Sequence, residues 1–205
     1  MSDLVRGKYP VTNPLYNLFG QASNATQSNV ALRTNASVTG LNALTDGAAL
    51  TPQVATAVAI PVEIGDVLSK VTVFVGATAA GTPTNSYAAL YSGVAVPALL
   101  AQSVDGGAAA IAASGSFTFT LSAPGVLVTA ANAPFGYLYV SVMVKATVAP
   151  TLASTTVATA VAYKWFANAP LGLGALAHGA ALTSAAPATI TGQTAQAVTP
   201  LVTLS

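Results

Sequence analysis

Residues 137–148 read YLYVSVMVKATV, and this stretch decides the fold of the chain. Apolar side chains recur at every second position, with aromatic or polar side chains between them: Leu138, Val140, Val142 and Val144 against Tyr139, Ser141, Met143 and Lys145. A period of two residues is that of a β-strand, and β-branched and aromatic residues are typical of strands. The stretch therefore predicts a strand.

Several other segments carry the same alternation. In residues 67–75 the predicted face consists of Val67, Ser69, Val71, Val73 and Val75, and in 116–121 it consists of Phe117, Phe119 and Leu121. Further strands are predicted at residues 54–62, 87–91, 99–104, 126–129, 157–165 and 197–204. The turn Glu63-Ile64-Gly65-Asp66 is predicted to join 54–62 to 67–75 as a hairpin, and residues 167–187 are predicted to form a long Gly/Ala/Pro-rich loop.

These segments amount to about eight or nine strands with turn residues between them. The alanine-rich stretch 108–113 lies between Gly-Gly and Ser-Gly and is too short for the helices that parallel βαβ units require. The sequence therefore predicts an all-β protein, an antiparallel β-sandwich of the jelly-roll-like kind.

Residues 1–50 differ from the rest of the chain, because they are rich in Asn, Gln, Ser and Thr and show no clear period. We predict an N-terminal extended arm over 1–50 that docks on a partner, followed by a β-sandwich domain over 51–205. A disordered tail is the alternative. The predicted docking residues are the cations and aromatics of this segment: Arg6, Lys8, Tyr9, Tyr16, Phe19 and Arg33.

Charge is scarce throughout. Charged residues make up 5% of the 205 residues, against about 25% in an average soluble domain, while 53% are hydrophobic and the formal net charge is +1. A net charge near zero favours association, so the composition predicts a protein that packs into an assembly. A weakly charged soluble domain with a Thr/Ser-rich surface is the alternative.

Membrane insertion, secretion and nucleic-acid binding are not expected. No window supplies the roughly 20 mainly apolar residues of a membrane span, and the N-terminus lacks an apolar signal-peptide core, which predicts cytoplasmic synthesis. The six Lys and Arg residues are spread along the chain and form no basic patch. With no cysteine, the chain has neither disulfides nor thiolate chemistry.

The residues offer little catalytic chemistry, and we predict no catalytic, cofactor-binding or metal site. His178 is the single histidine, has no ligand partner nearby in sequence and falls in the predicted loop. Glu63 and Asp66 lie three residues apart around a glycine, which is typical of solvated acids in a turn. Gly172-Leu173-Gly174 lacks the further glycine and the helix of a dinucleotide-binding turn. A Ser-His-Asp triad has nothing in the sequence to position it.

Aromatic residues suggest one further function. Tyr87, Tyr91, Tyr137, Tyr139, Tyr163 and Trp165 fall in predicted strands, where aromatic faces can stack on sugars. A sugar platform normally adds acidic or amide side chains, whereas these aromatics alternate with apolar residues. The pattern favours core packing over ligand binding.

Residues 60–78 read IPVEIGDVLSKVTVFVGAT and are followed by TPTN at 82–85, AALYS at 88–92, LLAQS at 99–103 and YVSV at 139–142. Over about residues 54–150 these strand and turn segments resemble the sequences of β-sandwich virion proteins of tailed phages, particularly those that infect actinobacteria. The resemblance includes no catalytic signature. It implies a non-enzymatic structural protein that decorates the head, forms a head fibre or lies at the tail tip.

We therefore expect a capsid decoration or head-fibre protein of a virion assembled in the host cytoplasm. Its partners would be the major capsid protein or another virion protein and further copies of itself, as a homotrimer. A tail-tip, receptor-binding module that recognises host cell-wall glycan is the alternative. An esterase-like or glycan-cleaving enzyme would require His178 to lie beside an acid and a serine.

Overall fold

The structure, a computed structural model, describes residues 33–34, 45–122, 125–156, 175–196 and 198–205. Within these ranges all regular structure is β, and every strand pairing is antiparallel. The strands are β1 (Arg33–Thr34), β2 (Thr45–Ala49), β3 (Ala55–Pro61), β4 (Val67–Leu68), β5 (Lys70–Phe74), β6 (Asn85–Tyr91), β7 (Leu99–Gln102), β8 (Ser116–Thr120), β9 (Val126–Leu127), β10 (Tyr137–Lys145), β11 (Thr151–Thr156), β12 (Leu176–His178), β13 (Thr194–Ala195), β14 (Val198–Pro200) and β15 (Val202–Leu204). The predicted all-β antiparallel fold is confirmed, and jelly-roll connectivity stays a prediction.

The strands form four sheets. The largest has the order β13-β12-β3-β10-β6-β7, and a second has the order β1-β15-β5-β8. A three-stranded sheet, β14-β11-β2, and a two-stranded ribbon, β4-β9, complete the set. The best-patterned sequence, β10, lies inside the largest sheet between β3 and β6, where Val140 pairs with Val58 on one side and Leu90 on the other.

The main core combines side chains of the two larger sheets, as in a β-sandwich. One face of the six-stranded sheet supplies the even-numbered residues of β3, β6 and β10, among them Ile60, Leu90 and Val140. The four-stranded sheet supplies Val71 and Phe119 among others. The faces predicted from the alternation in residues 71–75 and 116–121 thus lie in this core.

The opposite face of the six-stranded sheet is also buried. It carries the odd-numbered residues of β3, β6 and β10: Ala55, Ala57, Ala59, Tyr87, Ala89, Tyr91, Tyr137, Tyr139, Ser141 and Met143. We call this the tyrosine face. Residues 179–190, here called the strap, cover it with Leu182, Ala186 and Ile190. A sheet covered on both faces explains why β10 has polar or aromatic side chains at buried positions.

The predicted single strand over 67–75 is interrupted. The amides of Ser69 and Lys70 both donate to the carbonyl of Ser205, at 2.7 and 2.8 Å, so one residue is inserted into the ladder as in a β-bulge. The bulge reverses the alternation before it, and Leu68 is buried while Val67 is exposed. The predicted grouping of Val67 on one face with Val71, Val73 and Val75 was wrong for this reason.

The turn at residues 63–66 does not close a hairpin, which corrects the prediction. The strand before it, β3, belongs to the six-stranded sheet, whereas β4 and β5 after it belong to two other sheets. The turn therefore carries the chain from one sheet to another. Asp66 is buried, and its Oδ2 accepts a hydrogen bond from the Glu63 amide at 2.9 Å, so it is not a solvated acid.

Two strand pairings cross the predicted division at residue 50. Strands β1 and β2 come from the segment predicted as an arm, and they pair with β15 and β11. The division at residue 50 stays a prediction. The two pairings show that residues 33–34 and 45–49 belong to sheets whose other strands lie after residue 50. The predicted strand 157–165 lies outside the described residues, and the predicted loop 167–187 contains strand β12.

Candidate functional site

Of the predicted docking residues, only Arg33 has a described backbone. It lies in β1 opposite Leu204 of β15, at the edge of the four-stranded sheet. Arg6, Lys8, Tyr9, Tyr16 and Phe19 lie outside the described residues. Their role in docking therefore stays a prediction.

The structure brings Ser141 and His178 together, although they are 37 residues apart. Both flank strand β3: Ser141 of β10 pairs with Ala57, and His178 of β12 pairs with Ala55. The Ser141 Oγ lies 2.7 Å from the His178 Nε2, and which atom donates depends on the tautomer. This places His178 in a strand, contrary to the prediction of a flexible loop.

Both members of this pair are buried on the tyrosine face. The Tyr91 ring meets the imidazole edge to face, with ring centroids 5.7 Å apart. Burial lowers the pKa of His178 to about 4, so the imidazole is neutral at pH 7. Its Nδ1 has no hydrogen-bond partner among the described residues.

A serine next to a neutral histidine is the start of a nucleophile and base arrangement, but two requirements are unmet. The first is an acid to orient the imidazole. Three described aspartates accept hydrogen bonds from other groups: Asp46 from the Ala77 amide, Asp66 from the Glu63 amide and Asp105 from Asn85. The second is access, because Ser141 is fully buried and a substrate cannot reach it. As it stands, the pair is a packed polar contact.

Asp105 accepts three hydrogen bonds. Its carboxylate accepts from the Asn85 side chain at 2.5 Å and from the Ser86 and Gly107 amides at 2.8 and 2.9 Å. Desolvation raises the pKa of Asp105, but the three hydrogen bonds to the ionised form outweigh it and leave the pKa below its usual value. The cluster ties the 105–107 turn to β6. No three His, Asp or Glu side chains converge as a metal site anywhere in the described ranges.

The tyrosines predicted to pack in the core do so. Tyr87, Tyr91, Tyr137 and Tyr139 are all buried, so the core interpretation is confirmed for these four. Tyr163 and Trp165 lie outside the described residues. The buried tyrosine rings offer no open platform for a sugar.

An exposed apolar patch was not predicted from the sequence. Val67 of β4 pairs with Leu127 of β9, and these side chains are 41% and 55% exposed. Ile64, in the adjoining turn, is 70% exposed. We call these three residues the ribbon patch. The bulge at Ser69 creates it by turning Val67 outward, and a bulge has no dependable sequence signal.

Comparison with known proteins adds no relative: no protein-family model matches the chain, and no curated protein matches it. In the described part of the chain, the structure contains no helix long and apolar enough to cross a membrane.

Proposed function

We propose that the protein is a non-enzymatic structural component of a phage virion, a capsid decoration or head-fibre protein anchored to the shell through its N-terminal segment. The observation that carries the proposal is the scarcity of charge together with the burial of the reactive groups. The chain has 6 basic and 5 acidic residues in 205, and its serine–histidine pair is inaccessible. Such a surface suits a protein that is covered by neighbours.

The anchoring part of the proposal rests on residues 1–32. This segment holds Arg6, Lys8, Tyr9, Tyr16 and Phe19, and cations with aromatics are enriched where proteins contact each other. The segment precedes β1, so its removal leaves every described strand pair in place. The proposed partners are the major capsid protein or another virion protein, with the protein itself as a homotrimer.

The test uses undecorated particles of the source phage mixed with full-length protein or with residues 33–205. We expect both proteins to fold with the same thermal stability and only the full-length chain to sediment with the particles. A cut at residue 33 is better than one at residue 46, because the latter would remove β1 and the Thr45–Ser154 pairing of β2 and β11. Decoration by the truncated protein would contradict the anchoring role.

A charge-matched pair of variants refines this test. Arg6→Ser with Lys8→Ser removes two cations from the N-terminal segment, and Lys70→Ser with Lys145→Ser removes two from the strands. We expect the first variant alone to lose particle binding. Equal losses would point to net charge as the cause, not to the segment.

Copy number separates this function from the tail-tip alternative. Quantitative mass spectrometry of purified virions should give a copy number comparable with that of the shell subunits. A few copies per particle would instead favour a receptor-binding module at the tail tip. The burial of Tyr87, Tyr91, Tyr137 and Tyr139 favours the decoration function, because these rings are not available to a glycan.

A further inference from the structure

The strap is fastened at two places, next to the start of β3 and at the edge strand β7. Near its beginning, the Leu182 amide donates to the Gln53 carbonyl at 3.0 Å, and the Gln53 side-chain amide donates back to the Leu182 carbonyl at 3.2 Å. In its middle, Gln102 donates to the Ser184 carbonyl and accepts from the Ala186 amide, at 3.0 and 2.7 Å. These contacts hold a segment without regular structure over the tyrosine face.

The second half of the strap is held by β6 and β7. The Tyr91 hydroxyl donates to the Pro187 carbonyl at 2.9 Å, and the Leu99 amide donates to the Ala188 carbonyl at 2.9 Å. Tyr91 also contacts His178 through its ring. The Tyr91 side chain thus contacts both the strap and the imidazole of His178.

His178 is the residue immediately before the strap. It ends β12, and Gly179 after it has a positive φ of 71°, a conformation that glycine adopts without strain. The imidazole is 2% exposed, with Ser141 at Nε2 and no partner for Nδ1 among the described residues. A second proton on this ring would create a buried charge with one donor unsatisfied.

Among the described residues, no group shown against His178 can compensate for that charge. The elements packed against His178 present tyrosines from β6 and β10, Ser141 from β10 and Ala55 from β3, and β13 adds Thr194 and Ala195. The strap itself, GAALTSAAPATI, has no ionisable side chain. Within the part of the chain that the structure describes, burial is the cause of the lowered pKa of His178.

We propose that the strap is an acid-released cover: protonation of His178 frees the strap from the tyrosine face while β3, β10 and β6 stay paired. The protonated ring reaches water by leaving the sheet with the three-residue strand β12, using Gly179 as a hinge. This exposes Tyr87, Tyr91 and the alanines of β3 as a new apolar surface. The device does not depend on the proposed virion function.

The direction of the pH dependence follows from linkage. His178 has a pKa of about 4 with the strap closed and an ordinary value of 6.5 when solvated. Between these values the open form binds up to one more proton, so the closed-to-open ratio falls by up to about tenfold per pH unit as the pH is lowered. Well above pH 6.5 the ratio is constant, because the ring is neutral in both forms.

Amide hydrogen exchange on the full chain tests this, after correction for the intrinsic pH dependence of exchange. We expect protection of Leu182, Ala186 and Ile190 to fall about sevenfold from pH 6 to pH 5, and that of Val140 and Val142 in β10 to stay constant. His178→Phe should abolish the pH dependence of the strap. Ser141→Ala is the control, because it removes the hydrogen bond and keeps the titrating ring.

Three results would overturn the proposal: strap protection that is independent of pH, loss of strap and β10 protection together, or a pH dependence that survives in His178→Phe. If that variant does not fold, the wild-type chain suffices. It has a single histidine, so an NMR titration of its imidazole is unambiguous. The midpoint of the titration should coincide with that of strap opening, and separate midpoints would contradict the mechanism.

Discussion

Two tyrosines of strand β6 lie on the same face and are equally buried, yet they differ in one hydrogen bond. The Tyr91 hydroxyl donates to the Pro187 carbonyl at 2.9 Å, whereas the Tyr87 hydroxyl has no partner among the described residues. Burial raises the pKa of Tyr87 to about 12, so its hydroxyl stays protonated and carries the full cost of its lost hydration. The two positions therefore form a natural comparison.

We expect Tyr91→Phe to lower the free energy of unfolding by about 1 kcal/mol, because a net hydrogen bond is lost. Tyr87→Phe should be neutral or stabilising, because it removes an unsatisfied hydroxyl. Urea denaturation of both variants at pH 7.5 measures the difference. A larger loss for Tyr87→Phe would mean that its hydroxyl has a partner.

Gly93 lies at a position that leaves no room for a side chain. A Cβ on Gly93 would collide with the carbonyl oxygen of Tyr137, a backbone atom at the start of β10. Gly93→Ala should therefore cost about 2–4 kcal/mol of stability, in the range of a serious steric change. Gly115→Ala is the control, because its nearest neighbour is the Ala112 carbonyl oxygen at 3.7 Å, an ordinary contact. Thermal unfolding measures the stability of both variants. Equal stabilities would contradict the predicted steric clash at Gly93.

At the residue scale, the position of His178 in a strand could not be predicted from the sequence. The strand that holds it has three residues and owes its existence to pairing with β3, more than 100 positions earlier in the chain. A Gly- and Ala-rich context carries no period from which to predict such a strand. Its contact with Ser141 follows only from the shared neighbour β3.

At the element scale, β3 shows how small residues permit a sheet to be covered on both faces. Its odd-numbered residues, Ala55, Ala57 and Ala59, are all buried on the tyrosine face. A larger side chain there has to displace a tyrosine ring or the strap. The strand thus supplies little volume itself, and the rings of β6 and β10 fill the space.

We expect Ala57→Leu to destabilise the protein by about 1–3 kcal/mol, the usual cost of overpacking. Hydrogen exchange should place the damage in the strap, which is the most readily displaced neighbour. Ala48→Leu on the exposed strand β2 is the matched control and should change stability by less than about 0.5 kcal/mol. Equal costs at the two positions would argue against a tightly packed tyrosine face.

Most of the strands that could be predicted are the long ones. Predicted segments 54–62, 87–91, 116–121 and 137–148 appear as β3, β6, β8 and β10, because five or more alternating residues define both strand and face. Two-residue strands such as β1 and β13 have too few positions for a period and were not predicted, whereas β9 was predicted within 126–129 because the turn residues Pro124-Gly125 come before it. The bulge at Ser69 depends on the Ser205 carbonyl, which is 136 residues away in sequence.

At the scale of the whole molecule, the low net charge and the ribbon patch both favour self-association of the protein. With a formal net charge of +1, electrostatic repulsion between copies is weak. The ribbon patch concentrates Ile64, Val67 and Leu127 at one place, while Val104 and Val148 are exposed separately. Contiguous apolar surface is what promotes association.

Ile64→Lys with Leu127→Lys should therefore raise the concentration at which the protein self-associates, without a loss of thermal stability. Val104→Lys with Val148→Lys adds the same charge at separate positions and should have the smaller effect. Sedimentation velocity across a concentration series measures both. Identical shifts would show that net charge alone governs association.

The way in which the strap is attached also bears on protein engineering. Most of its fastenings use main-chain carbonyls and amides, and Thr183, Ser184 and Ala185 at its crest face solvent. Side chains at these three positions can be exchanged without touching the bonds that secure the segment. A foreign peptide epitope grafted there would be displayed on a rigid base at neutral pH and would become loosely tethered in acid.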